Sequence, residues 1–349
     1  MRLPGLDPIT KKRLQRFRRI KRGYYSFLTL VILFIISLFS EFVANDRAIF
    51  VQHEGKMYFP TFRYHDMATF GQEDEYGFND VEANYRALKD EKKAFVIMPL
   101  IPFDPYEPDF TYDEPPPNRP DRYHWLGTDG QGRDVLARLL YGFRISMIFA
   151  LCLVIVSQTT GTIIGSLQGY KGGTFDLLSQ RFVEIWSSLP FLFVVIILAS
   201  MFRVNVIVLV LIYALFQWIG ITYFMRTEMY REKTREYCLA AQSYGASGWR
   251  IMFRHLLPNC ITPLVTLTPF TIVGAIFGLT ALDFLGYGLP PPTPSWGELI
   301  GQGLQSDNRD SVWLSISPFG AISFTLILVT FVGESVREAF DPKQYARYK

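Results

Sequence analysis

The chain has 349 residues, of which 49% are hydrophobic, 16% aromatic and 19% charged. A soluble domain carries about 25% charged residues; here the deficit gathers in long apolar runs with the charges crowded between them, which excludes disorder, collagen and an ordinary soluble enzyme. The net charge of +3 is small, and the three cysteines, Cys152, Cys238 and Cys260, are too widely spaced for a disulfide framework or a metal site.

A spanning helix needs about 20 mostly apolar residues. Six segments qualify, over 24–43, 145–167, 182–201, 206–223, 261–282 and 313–332. Their Gly, Pro, Ser and Thr are tolerable within membrane helices. The first follows a basic start, as a signal peptide would, but its apolar run is too long and no small-x-small cleavage site follows. It reads as an uncleaved span. The expected organisation is a basic N-terminus over 1–23, the first span over 24–43, a long outer loop over 44–138 and a five-helix core over 139–349.

Orientation follows from Lys and Arg near the spans. The first 22 residues carry Arg2, Lys11, Lys12, Arg13, Arg16, Arg18, Arg19, Lys21 and Arg22 against Asp7 alone, which predicts a cytoplasmic N-terminus. Alternation then puts 169–181, 224–258 and the C-terminus inside. Residues 44–122, with 16 Asp/Glu against 9 Lys/Arg, fall outside. The expected fold is an all-α integral membrane protein with six spans and both termini cytoplasmic.

The first outer loop is long enough to be functional. Its aromatics (Tyr58, Phe59, Phe62, Tyr64, Phe70, Tyr76, Phe78) suit it to fold or dock, and an acidic run, Glu73-Asp74-Glu75, lies among them. In the second outer segment, the run Pro290-Pro291-Pro292-Thr293-Pro294 predicts stiff, extended backbone, and Trp296 suits a membrane interface. This segment either lines a substrate path or returns the chain rigidly to the sixth span.

Residues 235–244 are compatible with a helix, Gly245-Ala246-Ser247-Gly248 breaks it, and 249–257 form a second short helix stopped by Pro258. Ala240 and Ala241 permit close approach of another surface, and Gly245 can take a positive φ. A DNA-reading helix–turn–helix fits poorly when pinned between two spans, so no nucleic-acid partner is expected. The spacing Ala240-Ala241-x3-Gly245-x11-Leu257-Pro258 resembles the "EAA" loop of binding-protein-dependent ABC importer permeases. The continuation Arg254-His255-Leu256-Leu257-Pro258-Asn259 is similar to the dipeptide/oligopeptide/nickel permease family. Leu239 and His255 depart from the general motif, which has glutamate and isoleucine there.

Further likeness runs from His124 to Lys343. It is carried by the stretch with Leu126, Gly127, Thr128, Asp129, Gly132, Arg133 and Asp134, then by Gly169-Tyr170-x-Gly172-Gly173-x2-Asp176. Phe284-Leu285-Gly286-x-Gly288, the prolines Pro291 and Pro292 with Trp296, and the tail Arg337-Glu338-Ala339-Phe340-Asp341-Pro342 complete it. The long first outer loop is most like the microcin C and oligopeptide branch.

The resemblance implies a type I importer permease fold and a permease subunit for peptides. Its implied partners are a second, homologous permease, ABC ATPase subunits or a fused tandem ATPase, an extracytoplasmic peptide-binding protein and the lipid bilayer. The implied coupling residues are Arg235, Glu236, Tyr237, Ala240, Ala241, Gly245, Ala246, Ser247, Arg254, His255, Leu257 and Pro258.

Gly127-x2-Gly130-x-Gly132 is not a phosphate cradle, because no Lys-Ser/Thr follows and Asp129 and Asp134 repel phosphate. The G-x4-G-K-[ST] pattern occurs nowhere in the chain. The chain is therefore expected to be no enzyme and to carry no cofactor, with ATP and Mg2+ on partner subunits. Gly161-x3-Gly165-x3-Gly169 and Gly274-x3-Gly278 offer close helix contact, within this chain or against a second permease. Glu184 pairs with Arg181, and Glu41 and Asp283 sit at outer helix ends within reach of water. The rival reading, a secondary transporter driven by an ion gradient, would need internal repeats and midplane charges. Neither is evident. A channel or membrane-anchored receptor is a third, weaker alternative.

Overall fold

The computed structural model describes residues 8–73, 79–109 and 111–340. Features expected at Arg2, Asp74, Glu75, Tyr76, Phe78, Asp341 and Pro342 lie outside the described residues. In chain order the elements are α1 (Pro8–Arg19), α2 (Lys21–Leu38), β1 (Phe50–His53), β2 (Lys56–Tyr58), α3 (Tyr85–Asp90) and β3 (Phe95–Ile97). There follow α4 (Val135–Lys171), α5 (Gly173–Ser187), α6 (Phe191–Met201), α7 (Val206–Lys233), α8 (Glu236–Ser243) and α9 (Gly248–Arg250). A π-helical turn over Ile251–Leu256 leads into α10 (Leu257–Phe284), then α11 (Trp296–Gly303) and α12 (Trp313–Phe340).

Among the described residues, five helices are long and apolar enough to cross a membrane: α2, α4, α7, the Leu264–Phe284 part of α10, and α12. The pair α5 and α6 makes a sixth span if taken together, but it is bent by 72°. The segment over 182–201 is therefore not one straight helix. Pro190 has no N–H for the helix ladder and keeps Leu189 out of the α region, so the chain turns there.

The tightest helix pair is α4 against α7. Gly161, Gly165 and Gly169 lie on one face of α4, and an added Cβ would stand 2.7 Å from the Trp218 carbonyl oxygen, 2.5 Å from that of Thr222 and 2.7 Å from that of Arg226. Backbone oxygens cannot retreat as a side chain can, so only glycine permits this approach. The small-residue stripe packs within the chain. Gly274 meets nothing within 4 Å, and Gly278 faces the Tyr213 ring. Phe149, Leu153, Leu209, Ile276, Leu279 and Leu314 form the centre of the membrane core.

The segment over 44–134 departs from an all-α fold. Its strands form an antiparallel sheet in the order β2-β1-β3, with Val51 opposite Tyr58 and Val96. Glu54 and Gly55 both have positive φ, the two-residue turn that matches the twist of a hairpin. Phe70, Tyr85, Leu88, Val51 and Val96 close a small core of their own, while Phe59, Phe62 and Tyr64 stay exposed.

Two local expectations fail. Pro258 does not stop a helix: it lies in the first turn of α10, where a missing N–H is tolerated, and the preceding π-turn keeps the chain helical from Gly248 onward. The proline run is turned, with Pro291-Pro292 cis and Thr293 N donating to Pro290 O at 3.2 Å. Asp283 gathers its two ends, accepting from Leu289 N at 2.7 Å and Ser295 Oγ at 2.5 Å. Asp283 is thus half-buried and engaged rather than simply hydrated.

Candidate functional site

Of the predicted loop over 224–258, residues 224–233 continue α7 beyond the expected end of the span, and only 235–256 form a compact hairpin at the end of the α4–α7 pair. Helix α8 ends in a Schellman motif: Ala246 N donates to Ala241 O at 3.1 Å and Gly245 N to Gln242 O at 2.9 Å. Gly245 takes φ +75°, and nothing lies within 4 Å of where its Cβ would be. Its requirement is conformational, and the tip around it is open. The expectation of a positive φ at Gly245 rested on the helix break alone, and the geometry agrees.

The two alanines divide. Ala240 is exposed, whereas Ala241 is half-buried with Ala246 and Leu257 against Cys238, Ile251, Met252 and Leu256. The small size of Ala241 lets the hairpin close on itself there. Arg235, Glu236, Ser247, Arg254 and Pro258 are exposed, and His255 is half-buried.

Around the open tip stand apolar side chains that the motif does not name. Tyr244 is 91% exposed, Trp249 63% and Phe253 54%, and the last two rings stack with centroids 5.5 Å apart. Exposed Leu239 adds to this surface. Such a patch beyond the end of an apolar helix suits a contact with another surface. Sequence reasoning missed it because Trp249 and Phe253 read as one face of a short helix with no sign of which way it looks.

Beneath the patch the hairpin is anchored by polar contacts. Tyr237 Oη donates to Glu232 at 2.8 Å, and burial together with this carboxylate pushes its phenol up to about 12. Lys233 Nζ donates to the Tyr170 carbonyl at 2.6 Å. Arg226 makes a bidentate pair with Asp176, both contacts 2.6 Å, and Tyr230 Oη adds a third donor at 2.8 Å. This last cluster joins α5 to α7, so the broken span and the hairpin share one framework. Arg181 and Glu184 pair at 2.6 Å as expected.

At the other end of the bundle the second predicted motif is a buried polar junction. Asp129 accepts from the Gln131 and Arg133 amides at 2.9 and 3.0 Å and from Arg133 Nε at 2.8 Å. Arg133 reaches Glu298 on α11 at 3.1 Å; Arg138 also binds Glu298, and donates to the Pro105 and Pro292 carbonyls at 2.9 and 3.2 Å. Both arginines are fully buried.

Asp134 caps α4 by accepting from Ala137 N at 2.7 Å and also holds His124 Nδ1 at 2.7 Å, while His124 Nε2 lies 3.4 Å from Asp109. Burial opposes charge on His124, but the hydrogen bonds to Asp109 and Asp134 outweigh it and push the imidazole up to about 9. Asp109, by the same contacts and those with Thr111 and Arg86, is held below its ordinary range despite burial.

Thr128 is locked to Asn118, and Gly127 and Gly132 take φ +72° and +84°. Leu126 packs at the edge of the membrane core. Trp296 is 2% exposed and donates to the Leu139 carbonyl at 3.0 Å, so it is a core residue, not an interfacial one. An open groove of about 590 Å3 beside this junction is lined by Pro116, Gln131, Asp283, Pro291, Glu298 and Asn308. Glu298 and Asp109 were not singled out from the sequence, and His124 and Arg138 stood only as members of the family-like stretch. Arg138 and Glu298 were legible as charges set in apolar surroundings, whereas nothing local pairs His124 with Asp109.

Comparison with known proteins completes the picture. Residues 161–344 match the family described as "Binding-protein-dependent transport system inner membrane component". The chain is similar to the peptidoglycan transport system permease protein YejE of Agrobacterium fabrum, 41% identical over 99% of this chain and 96% of that protein. It is also similar to the inner membrane ABC transporter permease protein YejE of Escherichia coli, 41% identical over 97% of this chain and 98% of that protein. The oligopeptide transport system permease protein OppC of Haemophilus influenzae is 34% identical over 72% of this chain and 82% of its own length. The matched region holds the glycine stripe, the hairpin and α10–α12; the chain belongs to the family of binding-protein-dependent transport system inner membrane components.

Proposed function

We propose that this chain is the peptide-translocating permease subunit of an ATP-driven importer, and that the 235–258 hairpin couples it to ATPase partners. The observation that carries this reading is the hairpin itself: a rigid, capped turn with an exposed apolar tip, held on the closely packed α4–α7 pair. Relatives are named as peptide and peptidoglycan transport permeases, which supports peptides, including peptides on cell-wall fragments, as the cargo.

ATP and Mg2+ belong on separate ATPase subunits or a fused tandem ATPase. Closure of the ATPase pair pulls the tip formed by Tyr244, Trp249 and Phe253. Because α7 enters the hairpin and α10 leaves it without a break, the pull reaches both spans. The Arg226–Asp176 cluster passes it to the bent α5–α6 pair. The exposed apolar residues of that pair, Leu178, Phe182, Ile185, Phe193 and Ile197, suit contact with a second, homologous permease. The outer sheet, with exposed Phe59, Phe62 and Phe95, suits an extracytoplasmic peptide-binding protein, and the groove beside Asp283 suits the start of the peptide's path. The basic N-terminal region and the hairpin face the cytoplasm.

The test is uptake into vesicles reconstituted with the co-purified partners. ATP inside the equivalent cytoplasmic compartment should drive accumulation of a labelled oligopeptide or muropeptide with no ion gradient. Uptake that follows an imposed proton or sodium gradient and ignores ATP would favour a secondary transporter.

A further inference from the structure

Helix α1 was not foreseen as an element, and its surface is not used by the transport reading. Residues 8–22 hold eight cations, Lys11, Lys12, Arg13, Arg16, Arg18, Arg19, Lys21 and Arg22, and no acid. One face of α1 is docked: Arg13 lies over the Phe340 ring at 4.8 Å, and Phe17 meets Phe27 edge-on at 6.0 Å. Arg22 is engaged by Glu334 and Glu338 on α12. The opposite face carries two adjacent helical rows, Lys11-Leu14-Arg18 and Lys12-Gln15-Arg19, spaced at i, i+3, i+7. Lys12, Leu14, Arg18, Arg19 and Lys21 are exposed, and among the described residues none of Lys11, Lys12, Arg18, Arg19 and Lys21 has an ion-pair partner.

Position decides what this face meets. A single residue, Ile20, separates α1 from the span α2, whose first turns carry Tyr24 and Tyr25 in contact. Tyrosines at the head of a span mark the headgroup level, and α1 is tied to the end of α12 at the same depth. Free cations at that level, with exposed Leu14 between them, match a layer of negative charge over hydrocarbon. We propose that the exposed face of α1 is a docking surface for the headgroups of anionic phospholipids, which clamps α1, α2 and the end of α12 to the bilayer surface.

The proposal stands or falls apart from the transport assignment. Its test is hydrogen exchange on the purified full-length chain in nanodiscs of phosphatidylcholine, with and without about one third phosphatidylglycerol. Exchange across α1 should slow about tenfold in the anionic discs, and high salt should abolish the slowing. A variant with Lys11→Gln, Lys12→Gln, Arg18→Gln and Arg19→Gln should lose it, while exchange in α12 stays as in the parent and reports an intact fold. Equal exchange in both discs, or undiminished slowing in the variant, would overturn the proposal. So would slowing in phosphatidylcholine discs on adding inorganic phosphate or RNA, which would reassign the face to a soluble anion.

Discussion

The two ends of the bundle carry motifs of similar length and clarity, yet they are built in opposite ways. At one end, Asp129, Arg133 and Arg138 are buried together with Glu298 as one ion network, and Asp134 beside them is paired with His124. At the other end, the residues around Gly245 are held by backbone hydrogen bonds and a small core of Ile251, Met252 and Leu256, while Tyr244, Trp249 and Phe253 look outward. A recognisable motif can therefore mean an internal clamp or a presented surface, and only burial tells them apart. The clamp should fail by losing stability, whereas the surface should fail by losing a partner.

The largest expected effect is at the clamp. Arg138→Met strips one cation from Glu298, which keeps Arg133 and Gln302, and leaves the Pro105 and Pro292 carbonyls without their donor inside the protein. Breaking one partner out of a buried ion network costs about 3–5 kcal/mol. Thermal unfolding of the purified subunit should shift down accordingly, and proteolysis should open the 100–134 region first. A midpoint near that of the parent would show that the junction is not a clamp.

A second test uses pH. The His124 imidazole is raised from its ordinary 6.5 to about 9 by Asp109 and Asp134, so its contribution is fully present below about pH 6.5 and is lost as pH rises through about 9. The shift corresponds to about 3 kcal/mol. Stability of the 44–134 segment should decline over this window, and His124→Gln should flatten the decline. A profile that is level from pH 6 to pH 9.5, or that improves, would contradict the assignment.

A smaller effect is expected at the hairpin. Gly245→Val places a β-branched residue at φ +75° and should cost about 1–3 kcal/mol of local strain, seen as faster hydrogen exchange in α8 with the membrane core unchanged. Since space around the site is open, Gly245→Asn should be milder, because asparagine tolerates this conformation. Equal losses from the two would mean that crowding, not φ, sets the requirement. The least effect on stability is expected from Trp249→Ala, an exposed change that should stay within about 0.5 kcal/mol of the parent while weakening retention of the ATPase.

The spans were legible because burial in lipid demands long apolar runs, and the basic N-terminal region announced itself by charge alone. Other features turn on contacts that local pattern does not hold. Proline occurs both in α12, where Pro318 stays inside the helix, and at Pro190, where the span bends; neighbouring packing separates the two. The strands of the sheet β2-β1-β3 have three or four residues each, too short for an alternating pattern to stand out. Trp296 carries an amphipathic ring that fits an interface or a core with a carbonyl in reach, and the Leu139 carbonyl decides for the core. At the hairpin, Gly245 was legible from its position after a helix, but the opposite facing of Ala240 and Ala241 depends on how α8 rolls against Ile251 and Met252.

That division supplies the most direct test of the coupling assignment. Ala241→Arg would disrupt the hairpin from within and so cannot separate folding from docking. Ala240→Arg changes an exposed position one residue away, and should leave the thermal midpoint and the exchange pattern of α8 as in the parent. The measurement is ATP-driven peptide uptake, with ATPase retention scored on the same purified complex. Ala240→Arg should lose both by at least about tenfold, the loss that desolvating a misplaced charge at a contact of about 1.4 kcal/mol or more would bring. Parental uptake and retention in Ala240→Arg would contradict the coupling assignment and leave the 235–258 hairpin without a role in coupling.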